Sequence, residues 1–350
     1  MKSTRAVTIP LLVLSLIASG AALHAMQPVL LPFVVALFLS NIFRPLLEWL
    51  MRRHVPMPIA LLIVFIVVGA VLFGIGLVTI SSVQSLISVL PRYEMRWNND
   101  ILPALEQLLT NAPEALQQQI RTLEWTNVVQ VSAILGILYA GAGSFVSVLS
   151  GLGLILLFML FILSGHGLFE RKIRAAYPNR AEEFTAVIHR IDARTERYFV
   201  TVTLMNLVSG ILSTIVLAAF GVDLALLWGL ITFLVTFIPT IGSIFALVLP
   251  ILVAFLQFST ISTPLAVAIV LVAVQFIWGS VVTPRIMGSS LDLSPLLVLL
   301  ALIFWGWIWG PWGMVLSVPI TSMIKIALES VPASRPIGIL MSATGKESTT

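Results

Sequence analysis

Residues 224–284 read LALLWGLITFLVTFIPTIGSIFALVLPILVAFLQFSTISTPLAVAIVLVAVQFIWGSVVTP, 61 residues without one Asp, Glu, Lys, Arg or His. Widening the window to 199–282 adds a single charge, Asp223. A soluble domain of that length has to present charge to water, because it cannot bury every residue. A chain surrounded by lipid can leave charge out for so long. The stretch marks an integral membrane protein, and its polar chemistry has to come from a few uncharged side chains.

The rest of the 350 residues agrees. Hydrophobic residues make up 59% and charged residues 10%, far from soluble usage. The 22 Gly and 19 Pro are spread through apolar segments, as in multi-span proteins with interrupted helices. The net charge of +4 does not point to nucleic acid, because the basic residues stand at span ends. With no Cys there is no disulfide framework, thiol nucleophile or Cys-ligated metal. Lys2 and Arg5 ahead of apolar residues 6–23 imitate a signal peptide, but a second apolar segment follows at once. The segment reads better as an uncleaved first span.

A helix needs about 20 apolar residues to cross a hydrocarbon core of about 30 Å. Candidate spans are 6–23, 29–43, 59–83, 144–164, 199–220, 224–256, 264–282 and 296–326, eight if 224–256 crosses once. Backbone groups in lipid have no water to bond, so the expected class is all-α: a polytopic membrane protein of about eight helices. Segment 224–256 is too long. As one straight helix it would reach about 50 Å, so it tilts, projects, or folds back as a re-entrant hairpin at Pro239–Gly242. Folding back alone would put Arg285 in the cytoplasm and the C-terminus outside, against the basic residues of the tail. Lys2, Arg5, Arg44, Arg52, Arg53, the basic cluster at 171–197, Lys325, Arg335 and Lys346 all fall on one side in the eight-span count. By the positive-inside rule that side is the cytoplasm, for both termini.

The expected organisation is three spans in 1–84, an extracytoplasmic helical subdomain at 85–140, a fourth span within 141–169, a cytoplasmic amphipathic helix in 170–198, a C-terminal core at 199–327 and a tail at 328–350. In 85–140, Ile101, Leu102, Leu105, Leu108 and Leu109 recur at helical spacing, and Leu116, Ile120 and Leu123 follow after Pro113. In 182–198, Phe184, Val187, Ile188, Ile191 and Tyr198 form one apolar stripe, expected to lie on the membrane surface; an ordinary helix packed on a neighbouring loop is the alternative.

Hydrolytic chemistry has little to stand on. His24, His54, His166 and His189 form no His-x-x-x-His metal pair, no Gly-x-Ser-x-Gly elbow is present, and no span carries an acid pair. Neither a metal nor a cofactor is expected. The sharper signals lie in the C-terminal half. FIPTIGS at 237–243 combines Pro239, which removes a backbone donor, with Gly242 and the hydroxyls of Thr236, Thr240 and Ser243. Transporters use such breaks to expose backbone groups to a solute; a proline kink healed by hydroxyls is the plain alternative. TPRIMGSSLDLSP at 283–295 holds Pro284, Arg285, Gly288 and Asp292, either an interfacial turn or a gate beside the broken helix. FWGWIWGPWG at 304–313 suggests another break and an aromatic belt.

These motifs, with VVTPRIMGSSLDLSPLLVLLALIFWGWIWGPWGMVLSVPI running from 281 to 320 and LPFVVALFLSNIFRPLLEWLMRR near the N-terminus, resemble the autoinducer-2 exporter family. The resemblance spans nearly the whole chain. It implies a bacterial inner-membrane transporter of about eight spans, assembled as a homo-oligomer with a pentamer as the expected size, that exports small molecules. Other members are described as sodium or lithium/proton antiporters. Relatives often carry Asn where this chain has Thr236 and Thr240, and Asn and an acid where it has Ser280 and Thr283. An ion-coupled antiporter needs a titratable group in the membrane, so these departures favour a neutral polar solute. Asn206, Gln275 and Ser280 are then candidate solute contacts beside Thr236, Thr240 and Ser243, with Pro239, Gly242, Pro284, Arg285, Gly288 and Asp292 as hinge or gate. An antiporter using Asp223 or Asp292, and a scaffold that transports nothing, are the competing readings.

Overall fold

The computed structural model describes residues 18, 20–104, 107, 151–178, 180–238, 241–287, 293–330 and 334–343. Among them there is no strand. The helices are α1 (Gln27–Arg52), α2 (Met57–Arg96), α3 (Leu152–Ala176), α4 (Ala181–Ala219), α5 (Ala225–Val235), α6 (Ile241–Gln257), α7 (Ser262–Ile277), α8 (Thr283–Met287), α9 (Pro295–Ser330) and α10 (Arg335–Leu340). The all-α polytopic class holds. Five stretches are long and apolar enough to cross a membrane: Gln27–Arg52, Met57–Ala104, Thr195–Ala219, Ser262–Ile286 and Trp312–Glu329. Shorter apolar helices accompany them at Leu152–Gly165, Ala225–Val235, Ile241–Gln257 and Pro295–Gly310.

Proline placement follows helix physics at the starts. α1 and α2 each carry Pro in the first turn, where its missing N–H costs nothing. α1, α2 and α3 pack into one core through Ala36, Leu47, Ala60, Val64, Val68, Ile155, Met159 and Leu163. Helix α2 does not stop where the third span was expected to end. It runs on through a wide turn at Trp97–Ile101 to Ala104, 48 residues in all, or about 70 Å. The opening part of 85–140 is thus a projecting continuation of α2, and residues 108–140 lie outside the described ones.

α4 is a second over-long helix. Its 39 residues include the amphipathic stretch 182–198 and continue without a break into the apolar stretch that follows. That corrects the expectation of a helix lying flat on the membrane: a rod uninterrupted at 198–199 cannot lie in the interface and then cross. The stretch packs instead against the end of α1, where Arg44 meets Asp192 and Glu196 at 3.6 Å each.

The over-long segment 224–256 folds back. α5 ends at Val235, the chain turns, and α6 returns antiparallel to it. The proof lies at the two feet: Gln257, closing α6, accepts from the Asp223 N–H (2.7 Å) and donates to the Gly221 carbonyl (2.7 Å), both just before α5. Trp228 near the start of α5 and Val253 and Ala254 near the end of α6 share one core with Leu86, Leu90 and Tyr93 of α2 and Leu271 of α7. We call this pair hairpin 1.

Segment 296–326, expected as one crossing with a break, is a hairpin too. Gly310 has φ 61° and ψ −143°, outside any helix, and splits α9 into two limbs. Ile320 of the return limb packs on Ala301, Trp305, Ile308 and Trp309 of the first, so the limbs run antiparallel. At its feet the Ser294 N–H donates to the Met341 carbonyl at 3.0 Å, which fastens the start of α9 to the end of α10. We call this hairpin 2. The apolar stretch Ser262–Ile286 links the feet of hairpin 1 to those of hairpin 2 and is long enough to cross, so the hairpins enter from opposite ends. Phe237 at the tip of hairpin 1, and Leu293 and Val298 at the feet of hairpin 2, accordingly pack against one cluster of Tyr198, Phe199, Val202 and Val318.

Candidate functional site

Each hairpin tip closes on a glycine. A Cβ on Gly242 would collide with the Val235 carbonyl, and one on Gly313 with the Trp305 carbonyl, so only hydrogen fits between limb and limb. At the first tip the turn bonds are Ile238 N–H to Val235 O (2.8 Å) and Gly242 N–H to Ile238 O (3.0 Å). Thr236 donates its hydroxyl to the Thr232 carbonyl at 2.6 Å, which closes the last turn of α5. At the second tip two hydrogen bonds join the hairpin to the segment before α1: His24 Nδ1 donates to the Ile308 carbonyl (2.7 Å), and Trp309 Nε1 donates to the Leu23 carbonyl (3.2 Å).

Hairpin 1 lies against α4 almost backbone to backbone. A Cβ on Gly210 would sit 2.6 Å from the Gly229 carbonyl, and one on Gly229 at 2.6 Å from the Gly210 carbonyl. Beside this crossing runs an uncharged polar seam. Gln275 of α7 donates to Ser213 Oγ of α4 at 3.0 Å and accepts from Ser209 Oγ at 3.3 Å. Ser209, Ser213 and Asn206 are all buried on one face of α4. Asn206 and Ser209 stand near the middle of the apolar stretch Thr195–Ala219, and Gln275 near the middle of Ser262–Ile286. The seam is therefore at mid-depth. Amide and hydroxyl groups there can hydrogen-bond a neutral solute and give an ion no countercharge.

Two charged groups near the hairpin feet are paired. Asp223 accepts from Tyr93 Oη at 2.9 Å, with Arg92 at 4.0 Å. Lys325 on the return limb of hairpin 2 is 3% exposed and pairs with Glu329 at 3.2 Å. No group of three or more His, Cys, Asp or Glu able to hold a metal occurs among the described residues.

The model of the AI-2E family transporters matches residues 11–333. AI-2 transport protein TqsA of Escherichia coli K12 is 32% identical over 323 residues, covering 91% of each chain. YhhT of the same strain is 29% identical over 328 residues, covering 93% of this chain and 92% of its own. The chain belongs to the AI-2E transporter family. It is a multi-pass membrane transporter.

Of the candidate contacts read from the sequence of this AI-2E family member, Asn206 and Gln275 lie in the buried seam or beside it. Thr236 is drawn into closing α5. Ser243 is exposed on the first turn of α6, Ser280 is exposed in the wide turn Trp278–Val282, and Pro284 and Arg285 are exposed on α8. Gly242 is buried at the tip of hairpin 1. Pro239, Thr240, Gly288 and Asp292 lie outside the described residues. Sequence reading missed Ser209, Ser213 and Thr232. Their signal was the spacing 206, 209, 213 on one face of α4, legible once the partner helix is known. It also missed the buried Lys325–Glu329 pair, a charge pair at i,i+4 inside an apolar segment.

Proposed function

We propose that this AI-2E family member exports a small uncharged polar molecule of the autoinducer-2 kind across the bacterial inner membrane. The carrying observation is the uncharged mid-depth seam of Ser209, Ser213 and Gln275, flanked by hairpins that enter from opposite ends. A hairpin is held at its feet on one side, so a small tilt of its limbs opens or closes a path along it. With one from each end, the seam can face either side in turn. The match to AI-2 transport protein TqsA supports the choice of solute. Sodium/proton exchange is disfavoured because Asp223 is engaged at the feet of hairpin 1, away from the seam.

The same reading carries a sidedness. Taking 6–23, α1, α2, α3, α4 and α7–α8 as crossings gives six, with two hairpins that return to their own side. Arg285 then reaches the cytoplasm, and hairpin 2 brings the tail back there as well. The conflict between one re-entrant segment and the basic tail disappears, and all basic clusters share the cytoplasmic side. Outward apolar side chains such as Ile66 and Phe73 of α2 suit lipid and neighbouring copies, in keeping with a homo-oligomer.

The test is an accumulation assay. Cells lacking the transporter should retain autoinducer-2, and expression of the chain should lower the internal pool and raise the external one. An unchanged internal pool would overturn the proposal. In vesicles, pH-driven sodium flux that vanishes with Asp223→Asn would favour the antiporter instead.

A further inference from the structure

We infer that Thr203, Asn206 and Thr232 form the hydrogen-bonding subsite for the solute, where hairpin 1 crosses α4, and that it takes a neutral molecule with neighbouring hydroxyl or carbonyl oxygens. The inference rests on the transport reading above and names the contacts within it.

Thr203 Oγ1, Asn206 Nδ2 and Thr232 Oγ1 are buried and have no hydrogen-bond partner in the protein. Asn206 is 9% exposed and Thr232 fully buried. A buried polar group without a partner lowers stability, so native structures hold few of them. Three at one place ask for an explanation. Hydroxyls in apolar helices normally bond back to a carbonyl one turn earlier. Thr79, Thr214, Thr236 and Thr321 all do so here, at 2.6–3.0 Å. Thr203 and Thr232 do not.

The helix register brings the three together. α4 and α5 run antiparallel and meet at Gly210 and Gly229. Asn206 lies one turn before Gly210, and Thr232 one turn after Gly229, which sets both at the same level beside the crossing. Thr203 lies a further turn along the face of α4 that carries Asn206. Next to them Ser209, Ser213 and Gln275 satisfy one another, so beside that seam the spare capacity lies with these three. The set is one amide donor and two hydroxyls that both give and accept. None of the three carries a charge, so their complement is a neutral ligand rich in oxygen. Trp228 Nε1, Arg96 Nε and Ser40 Oγ are unpaired too. Trp228 belongs to the core at the feet of hairpin 1, Arg96 closes α2, and Ser40 shares a stripe of α1 with Ala36 and Leu47, which face the core of α1–α3. Ser40 serves as a control.

The experiment compares Thr232→Val, Thr203→Val and Ser40→Ala with the parent protein in proteoliposomes and in detergent. Thr232→Val keeps the side-chain shape and deletes only the hydroxyl. It should leave the thermal unfolding temperature unchanged or raised while cutting autoinducer-2 flux about tenfold, the effect of one lost hydrogen bond to a bound ligand. Thr203→Val should act in the same direction. Ser40→Ala should leave flux unchanged. Full flux in both valine variants overturns the subsite. Erythritol, ribose and sodium phosphate provide a second readout through thermal shift. The parent protein should be stabilised by the neutral polyols and not by phosphate, and Thr232→Val should lose the shift. If the parent moves no autoinducer-2 yet shows that pattern, the substrate reading fails and the subsite stands. If the parent moves no autoinducer-2 and no neutral compound shifts it, the subsite fails as well.

Discussion

Hairpins 1 and 2 share a plan and differ in how they are held. In each, a glycine at the turn lies on a carbonyl of the incoming limb, and the return limb carries a similar phrase, LVLPI at 247–251 and LSVPI at 316–320. Hairpin 1 is anchored through backbone, Gly229 against Gly210 of α4, with its feet clasped by Gln257. Hairpin 2 is anchored through side chains, with Trp309 and His24 at its tip. Backbone contact leaves no slack, because no rotamer can yield, whereas side-chain contact can be remade. Hairpin 1 is therefore the more tightly seated of the two, and hairpin 2 the more loosely held.

The largest effect should come from cross-linking, in a chain that has no native Cys. Asp223→Cys with Gln257→Cys, and Ser294→Cys with Met341→Cys, should each join in intact membranes. If 224–256 were one straight crossing, its ends would be about 50 Å apart and the first pair would never react. Next come the glycines. Gly229→Ala meets backbone and Thr214 and should cost about 3–5 kcal/mol of unfolding free energy. Gly306→Ala meets only the flexible Met314 side chain and should cost about 1 kcal/mol. Equal costs would erase the distinction between backbone and side-chain contact.

Gly310→Ala forces a side chain into a conformation reserved for glycine and should cost about 1–3 kcal/mol, seen as a lower unfolding temperature. The feet and tip give the smaller effects. Gln257→Leu removes two hydrogen bonds and should cost about 1–2 kcal/mol; His24→Ala removes one at an exposed site and should cost about 0.5–1 kcal/mol. If the second hairpin is the mobile one, His24→Ala should also change the flux rate more than Gln257→Leu does, measured in proteoliposomes.

Much of this was legible in residue order. The charge-free run, the break at Pro239–Gly242 and the excess length of 224–256 already contained hairpin 1 as one of three outcomes. Hairpin 2 was legible only as a break at 304–313, since 31 apolar residues also suit one tilted crossing. The amphipathic stripe at 182–198 has the same pattern whether a helix lies on a membrane or packs on α1, and the Arg44 pairs with Asp192 and Glu196 belong to the second case.

Composition alone decided the solvent of this protein, its all-α class and the near absence of charge from its interior, because lipid forbids unpaired backbone and unpaired charge whatever the topology. Tertiary structure alone decided which breaks reverse the chain and which hydroxyls keep a free hand. Both depend on contacts between elements apart in sequence: Gln257 reaching back to Gly221, and Gly229 resting on Gly210.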